Sequence, residues 1–395
     1  MYQNLIKKYY TERNRYEEIY QEYFNNPATV KFDFNIKEWK AFLMFCPDLT
    51  NVLFEIMELN AKLNLLTGKL PSLALIQYAY SKLIDEIRLT NEIEGVHSTR
   101  KEISEILVAK QKKDKTPKFY NLVKKYEKLM QHTKISLNTC EDVRKLYDEI
   151  VLPEVLEEDK TNMPDGIYFR TNPVYLYDEK MNQIHEGLYP EEKIIDAMTK
   201  SLSILNDKSL NKLIAVAIFH YMIGYIHPFY DGNGRLNRFI SSYLLSAPLN
   251  YLVAYAISGT IKQNKESYGK MFEQTNNEKN RGDLTTFVIC FLMLIKNSLL
   301  HLIERLTEKC EKLDFFGEKL HSLFAGDEKH FQTLYVLLQN SLFGFDGMGA
   351  DDLATSCTES LSVIRRVLKA NDNLLRKEKS GHKMLYDIDL DKLSV

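Results

Sequence analysis

The sequence predicts a mainly α chain. Three observations carry this: Gly and Pro are sparse (16 and 10 of 395 residues), long amphipathic stretches dominate, and only short segments alternate as strands do. The length predicts two or three domains. Apolar content of 45% and charged content of 27% suit a globular protein with sizeable cores, and no repeat or low-complexity tract interrupts it. A net charge of −2 gives no global pull toward a polyanion or a polycation. Cys46, Cys140, Cys290, Cys310 and Cys357 are scattered without Cys-x-x-Cys spacing, which argues against a zinc site or a disulfide framework and for a reducing compartment. Residues 1–23 are dense in charge and Tyr, without the apolar stretch of a signal peptide. The longest apolar runs, 213–226 and 287–295, fall short of the ~20 residues that cross a bilayer. The expectation is a soluble, cytoplasmic protein with no membrane partner.

Along the chain, residues 1–70 read as helices with one irregular break around Asn26-Pro27, a packing surface or a homodimer contact. Pro71-Ser72 then precedes an apolar-periodic run through Leu73, Ile76, Leu83, Ile84 and Ile87, with Ser72 as N-cap and Gly95 as C-cap. Residues 100–160 are charged and amphipathic, and the run Lys110–Lys118 reads as a solvated face. Residues 153–165 read as an acidic linker ending in a turn. Ile167 to Tyr177 is the most strand-like segment, with a turn at Asp178–Asn182 and a return through Ile184 and His185, so a β-hairpin is expected over about 166–188. Pro190-Glu191-Glu192 opens a helix, which runs through Ala197–Leu205. An apolar helix follows at Leu213–Ile226, with His220 as a core residue. Ile257 to Phe272 forms a further amphipathic helix carrying Tyr268, with Asn276 at its end, and Thr285–Ile303 closes the core.

The chemistry concentrates between the two apolar runs, at His227-Pro228-Phe229-Tyr230-Asp231-Gly232-Asn233-Gly234-Arg235-Leu236-Asn237-Arg238. A polar, Gly-rich turn opening a helix leaves backbone N–H groups free for an anion. Gly232 and Gly234 permit backbone angles closed to other residues, so successive amides can converge on a phosphate. Asp231 can hold Mg²⁺, which takes one or two carboxylates and fills its other positions with phosphate and water. Arg235 and Arg238, three apart, are placed to grip phosphates. His227 is the nearby group suited to accept a proton near neutral pH.

Every specified position of these twelve residues matches the signature of the Fic family, and the chain resembles that family over roughly residues 72–305. The resemblance implies a helical core at about 156–310 with a β-hairpin flap at 166–188, behind an N-terminal helical region at 1–155. It implies adenylyl transfer: AMP moves from ATP to a Ser, Thr or Tyr hydroxyl of a target protein clamped at the flap, or of the protein itself. His227 would be the base and Asp231 the Mg²⁺ ligand. Gly232, Asn233 and Gly234 would stabilise the α-phosphoryl oxygens, Arg235 would serve the β-phosphate and Arg238 the γ-phosphate. Thr90-x-x-x-Glu94-Gly95 also resembles the family's inhibitory motif, so Glu94 is expected to pair with Arg238 and block the γ-phosphate site. In some relatives the same Glu also orients water for removing AMP. By position Tyr268 and Asn276 would line the nucleoside pocket, although the family's usual adjacent tyrosines are here Tyr268-Gly269.

Residues 315–395 read as a separate module. A helix over Phe331–Leu342, a Gly-rich break at Gly344–Gly349, two short helices and a hairpin through Leu374 and His382–Tyr386 resemble a winged helix-turn-helix. Seven basic residues against two acidic ones between Leu361 and Met384 could meet DNA phosphates or a protein. The alternative to a plain enzyme is a DNA-binding regulator that uses the Fic fold as a nucleotide-dependent, self-modifying switch.

Overall fold

Among the described residues the amphipathic periodicity becomes helix over 68%, which is mainly α as expected. The computed structural model describes residues 2–108, 117–130, 133–177, 180–381 and 383–394. Most of the Lys110–Lys118 run, Asp178 and His382 lie outside them. Two compact units divide the chain, one of Met1–Asn60 with Ile84–Leu299, the other of Ala61–Leu83 with Leu300–Val395. The boundary expected at 155–156 falls inside the first unit. The module expected at 315–395 lies in the second, which also takes in 61–83 and 300–314.

The first unit opens with helices α1 (Leu5–Thr11) and α2 (Tyr16–Phe24), then strands β1 (Thr29–Ile36) and β2 (Trp39–Met44). This antiparallel hairpin interrupts the helices expected across residues 1–70. Its cause is visible in the sequence: Phe32, Phe34 and Ile36 point inward while Lys31, Asp33 and Asn35 face solvent, the period of two of a half-buried strand. The chain at 282–284 joins its edge, with Phe42 N–H bonding Gly282 C=O and Leu284 N–H bonding Phe42 C=O. Gly282, at φ +80°, is required there, because a Cβ would stand 2.5 Å from the Lys40 carbonyl.

Helices α3 (Pro47–Lys69) and α4 (Ser72–Ile93) follow, then α5 (Arg100–Val108), α6 (Tyr120–Met130), α7 (Cys140–Ile150) and α8 (Leu152–Glu158). Helix α4 begins at Ser72 itself, and Leu75 N–H bonds Pro71 C=O, so Ser72 lies inside the first turn and is not the cap. The hairpin expected at 166–188 is present but shorter, as β3 (Tyr175–Tyr177) against β4 (Gln183–Glu186). Residues 167–170 are not strand. The backbone N–H groups of Ile167, Tyr168 and Phe169 all donate to the Glu191 carboxylate at 2.8–2.9 Å, which leaves none for a ladder. Glu191 opens α9 (Glu191–Asn206), which packs on α10 (Lys212–Ile226). Nearly every side chain of α10 is buried, and α11 (Asn233–Leu245) crosses it.

The helix expected over 257–272 is two, α12 (Ile257–Gln263) and α13 (Lys265–Asn276), separated at Asn264. The last, α14 (Thr285–Leu323), runs 20 residues past the expected Ile303. Lys296 ends the apolar run in the sequence without ending the helix. Among the described residues α14 is the helix long and apolar enough to cross a membrane by length and composition, and half of its apolar window is buried inside the protein.

In the second unit α15 (Glu328–Phe343), β5 (Met348–Gly349), α16 (Ala350–Cys357), α17 (Leu361–Ala370), β6 (Leu375–Ser380), β7 (Lys383–Ile388) and α18 (Leu390–Ser394) follow α14. The sheet is antiparallel in the order β5-β7-β6. Leu334, Leu337, Leu338, Leu353, Ile364 and Val367 form its core under the sheet.

Candidate active site

Helix α10 ends where His227 takes the left-handed conformation (φ 50°) and donates its N–H to Ile223 C=O. Five residues later Gly232 (φ 75°) starts α11. The turn is closed by Asn233, whose side chain accepts from Phe229 N–H at 3.0 Å and donates to Phe229 C=O at 2.8 Å. The amide side chain expected at the α-phosphoryl oxygens is therefore spent on the turn. What Asn233, Gly234 and Arg235 offer an anion is their backbone N–H groups, which open the helix and have no carbonyl one turn back.

Asp231 is half-buried, and Gly232 N–H donates to its Oδ1 at 2.5 Å. Among the described residues no three His, Cys, Asp or Glu side chains gather as a metal cluster. A single carboxylate beside open helix amides fits Mg²⁺ that arrives with phosphates and water.

The two signature arginines go different ways. Arg238 is buried, with Nε donating to Thr90 Oγ1 at 2.7 Å, Nη2 to Thr90 C=O at 3.0 Å and Nη1 to Glu94 Oε1 at 2.9 Å. Thr90, Glu94 and Arg238 are thus brought together at the end of α4, where the helix leaves carbonyls without intrahelical partners. Gly95 (φ 76°) stops that helix, and Val96 N–H reaches back to Asn91 C=O. The Glu94 carboxylate also lies against the spot that a Cβ on Gly234 would fill, so it occupies the mouth of the α11 amides. Arg235 is buried as well: its guanidinium is 1% exposed and pairs through Nη1 with Glu154 Oε2 at 2.8 Å. Burial pushes the Glu154 carboxyl up to about 7, against the pull of Arg235.

Burial, with the neighbouring charges of His185 and Arg170, holds the His227 imidazole down to about 3, so the ring is neutral at pH 7. Arg170 is fully buried and fixes this corner: Nε donates to His227 C=O, Nη1 to Asn172 C=O and Nη2 to Leu188 C=O. Arg170, Glu154 and Tyr147 escaped the sequence reading, because no local pattern marks a buried arginine or names a partner eighty residues away.

Tyr268 and Asn276 are not side by side. The Tyr268 hydroxyl bonds His220 Nε2 at 2.6 Å, and His220 Nδ1 bonds Ser241 Oγ at 2.7 Å. His220 is a core residue, held neutral by burial and by Arg238, down to about 3. Asn276 accepts from the Tyr221 hydroxyl and contacts His185 Nδ1. With Asn277, His185, Gly187 and Tyr225 it lines a cavity of about 560 Å³ beside β4.

Residues 137–245, which contain the turn, the flap and the buried helix pair, match the Fic/DOC family. The chain carries a Fic domain. A curated relative, protein adenylyltransferase fic-1 of Caenorhabditis elegans, is 27% identical over 112 residues, spanning 27% of this chain and 21% of the relative. The chain thus covers about a fifth of that relative's length. Among solved structures, a Fic family protein from Desulfovibrio desulfuricans has the same fold at a TM-score of 0.53 and 18% identity, over 87% of this chain and 97% of that one. Fic-1 (residues 134–508) of C. elegans aligns at a TM-score of 0.44 and 17% identity, over 66% of this chain and 74% of that one.

Proposed function

We propose that the protein moves AMP from ATP to a hydroxyl of a target protein, with Mg²⁺, and that Glu94 holds it in a resting state. One observation carries the reading: a carboxylate sits on a buried signature arginine at the mouth of an anion-binding helix terminus, beside a neutral histidine. In this reading His227 takes the proton of the target hydroxyl as its oxygen attacks the α-phosphorus. The bond to the bridging oxygen breaks and pyrophosphate leaves. The amides of α11 hold the phosphoryl oxygens, where fixed dipoles stabilise charge that grows in the transition state. Asp231 would hold Mg²⁺, which supplies charge neutralisation when bound. Arg238 meets the γ-phosphate only once Glu94 has left, because the two acids compete for one guanidinium fork. An extended target segment would lie along the flap, whose short strands offer an edge. The Fic/DOC match and the activity named for the C. elegans relative support the chemistry at family level.

Incubating Glu94→Gly protein with ATP labelled at either the α- or the γ-phosphate, plus candidate targets, tests the transferred group. Label in protein from the α-position alone is expected. Label from the γ-position alone would replace AMP transfer with phosphate transfer.

A second reading concerns the C-terminal unit, where Arg365 and Lys369 of α17 and Lys377 and Lys383 of the hairpin line one cleft of about 360 Å³ with Asp351, Asp372 and Tyr386, Lys377 being paired with Asp372. The order helix, strand, two helices, two strands supports a winged-helix reading, and we propose that this cleft grips duplex DNA phosphates. Arg365→Ala/Lys369→Ala should lower both the affinity and its salt slope in anisotropy titrations. An unchanged slope would remove the proposal.

A further inference from the structure

The turn between α10 and α11 is held from outside by one stripe of α7–α8. These helices run on through Val151, whose N–H bonds Tyr147 C=O and whose C=O accepts from Glu154 and Val155. Tyr147, Val151 and Glu154, spaced four and three, therefore share a face. Each meets a different part of the turn. The Tyr147 ring stacks on Phe229 with centroids 3.6 Å apart and planes 4° apart, and its hydroxyl donates to Asp231 C=O at 3.0 Å. Val151 Cγ1 fills the space that any Cβ on Gly232 would need. Glu154 accepts from Arg235 at 2.8 Å.

We propose that this stripe sets the geometry of the phosphate and Mg²⁺ site, with Tyr147 and Glu154 as positioning residues; the ligand rests on the AMP-transfer reading above. The Tyr147 hydroxyl fixes the peptide plane between Asp231 and Gly232. That plane aims Gly232 N–H at Asp231 Oδ1 and so orients the carboxylate. Glu154 anchors Arg235 and with it the first turn of α11, whose amides then converge. Arg235 accordingly also acts on nucleotide through its backbone and its anchor. A stack alone would be served by Phe at position 147. A buried ion pair costs desolvation that an apolar pair would avoid, so the hydroxyl and the carboxylate are the parts that position.

The test uses the full chain carrying Glu94→Gly as parent, with Tyr147→Phe or Glu154→Gln added. ATP affinity is measured by calorimetry with Mg²⁺ and with EDTA, and amide exchange is followed across 227–238. For Tyr147→Phe, affinity in EDTA should stay within roughly twofold while the gain conferred by Mg²⁺ falls about tenfold, the scale of one hydrogen bond. For Glu154→Gln, affinity should fall about tenfold with and without Mg²⁺. Exchange at Leu236–Arg238, the first amides of α11 that bond back into the turn, should rise in both variants. Exchange equal to the parent in both, or equal losses with and without Mg²⁺ in Tyr147→Phe, would overturn the proposal. If the parent binds ATP but forms no AMP adduct, the transfer reading fails and these comparisons still decide the stripe. If the parent binds no ATP, the exchange comparison decides it alone.

Discussion

Glu94 Oε1 stands 2.9 Å from Arg238 Nη1 and against the face of Gly234, so one carboxylate covers both a guanidinium and a helix N-terminus. Removing it frees both for phosphate. Glu94→Gly should raise the rate of nucleotide transfer at least about tenfold, since a charge-assisted hydrogen bond contributes roughly 1.5–3 kcal/mol. Steady-state assays with ATP check this. An unchanged rate in a folded variant would remove Glu94 from the inhibitory role.

Thr90 supplies two acceptors to buried Arg238, its hydroxyl and its carbonyl. Thr90→Val keeps the shape and the carbonyl but leaves Nε–H facing a methyl. Stability should fall by about 1–3 kcal/mol, the cost of an unsatisfied buried donor. Urea unfolding of the two proteins measures the difference.

Glu86, on the same helix, is fully buried and accepts from Ser258 N–H at 2.9 Å and Ser258 Oγ at 2.6 Å. Burial pushes its carboxyl up to about 7, against the pull of Ser258 and Arg238. The folded state therefore holds this proton more tightly than the unfolded state, and stability falls as pH rises from about 4.5 to about 7. The full penalty, on the order of 3 kcal/mol, is present above that window and absent below it. Glu86→Gln removes the ionisation. Relative to wild type it should gain stability between pH 5 and pH 8, as read from melts at both values.

The His227 imidazole, held down to about 3, carries no proton to lose across the neutral range. The acid limb of kcat/KM for transfer should therefore fall below pH 5. A limb near pH 6.5, the ordinary histidine value, would mean that the working state exposes this ring to solvent.

Much of the candidate site was legible because it is contiguous: residues 227–238 carry base, carboxylate, glycines and arginines in one turn. Glu94 was legible because the end of α4 carries its own motif. What stayed hidden depends on distance along the chain. Nothing near Arg235 names Glu154, 81 residues upstream, and nothing near Ile167 names Glu191, whose carboxylate takes the amides that a strand would need. The β1–β2 hairpin is a different case. The alternation of Phe32, Phe34 and Ile36 was in plain view, and the helical run around it masked a local period of two. In the fold, α-helix content followed from periodicity, while the break at Asn264 and the length of α14 did not.

Intact-mass spectrometry after incubation with ATP and Mg²⁺ tests the central claim most directly, comparing wild type, Glu94→Gly and Glu94→Gly/His227→Ala with a hydroxyl-bearing target or with the chain as its own target. The account predicts a gain of one AMP mass with Glu94→Gly and none with the double variant. An equal gain in the double variant would contradict the role of His227, and an equal gain in wild type would contradict the role of Glu94.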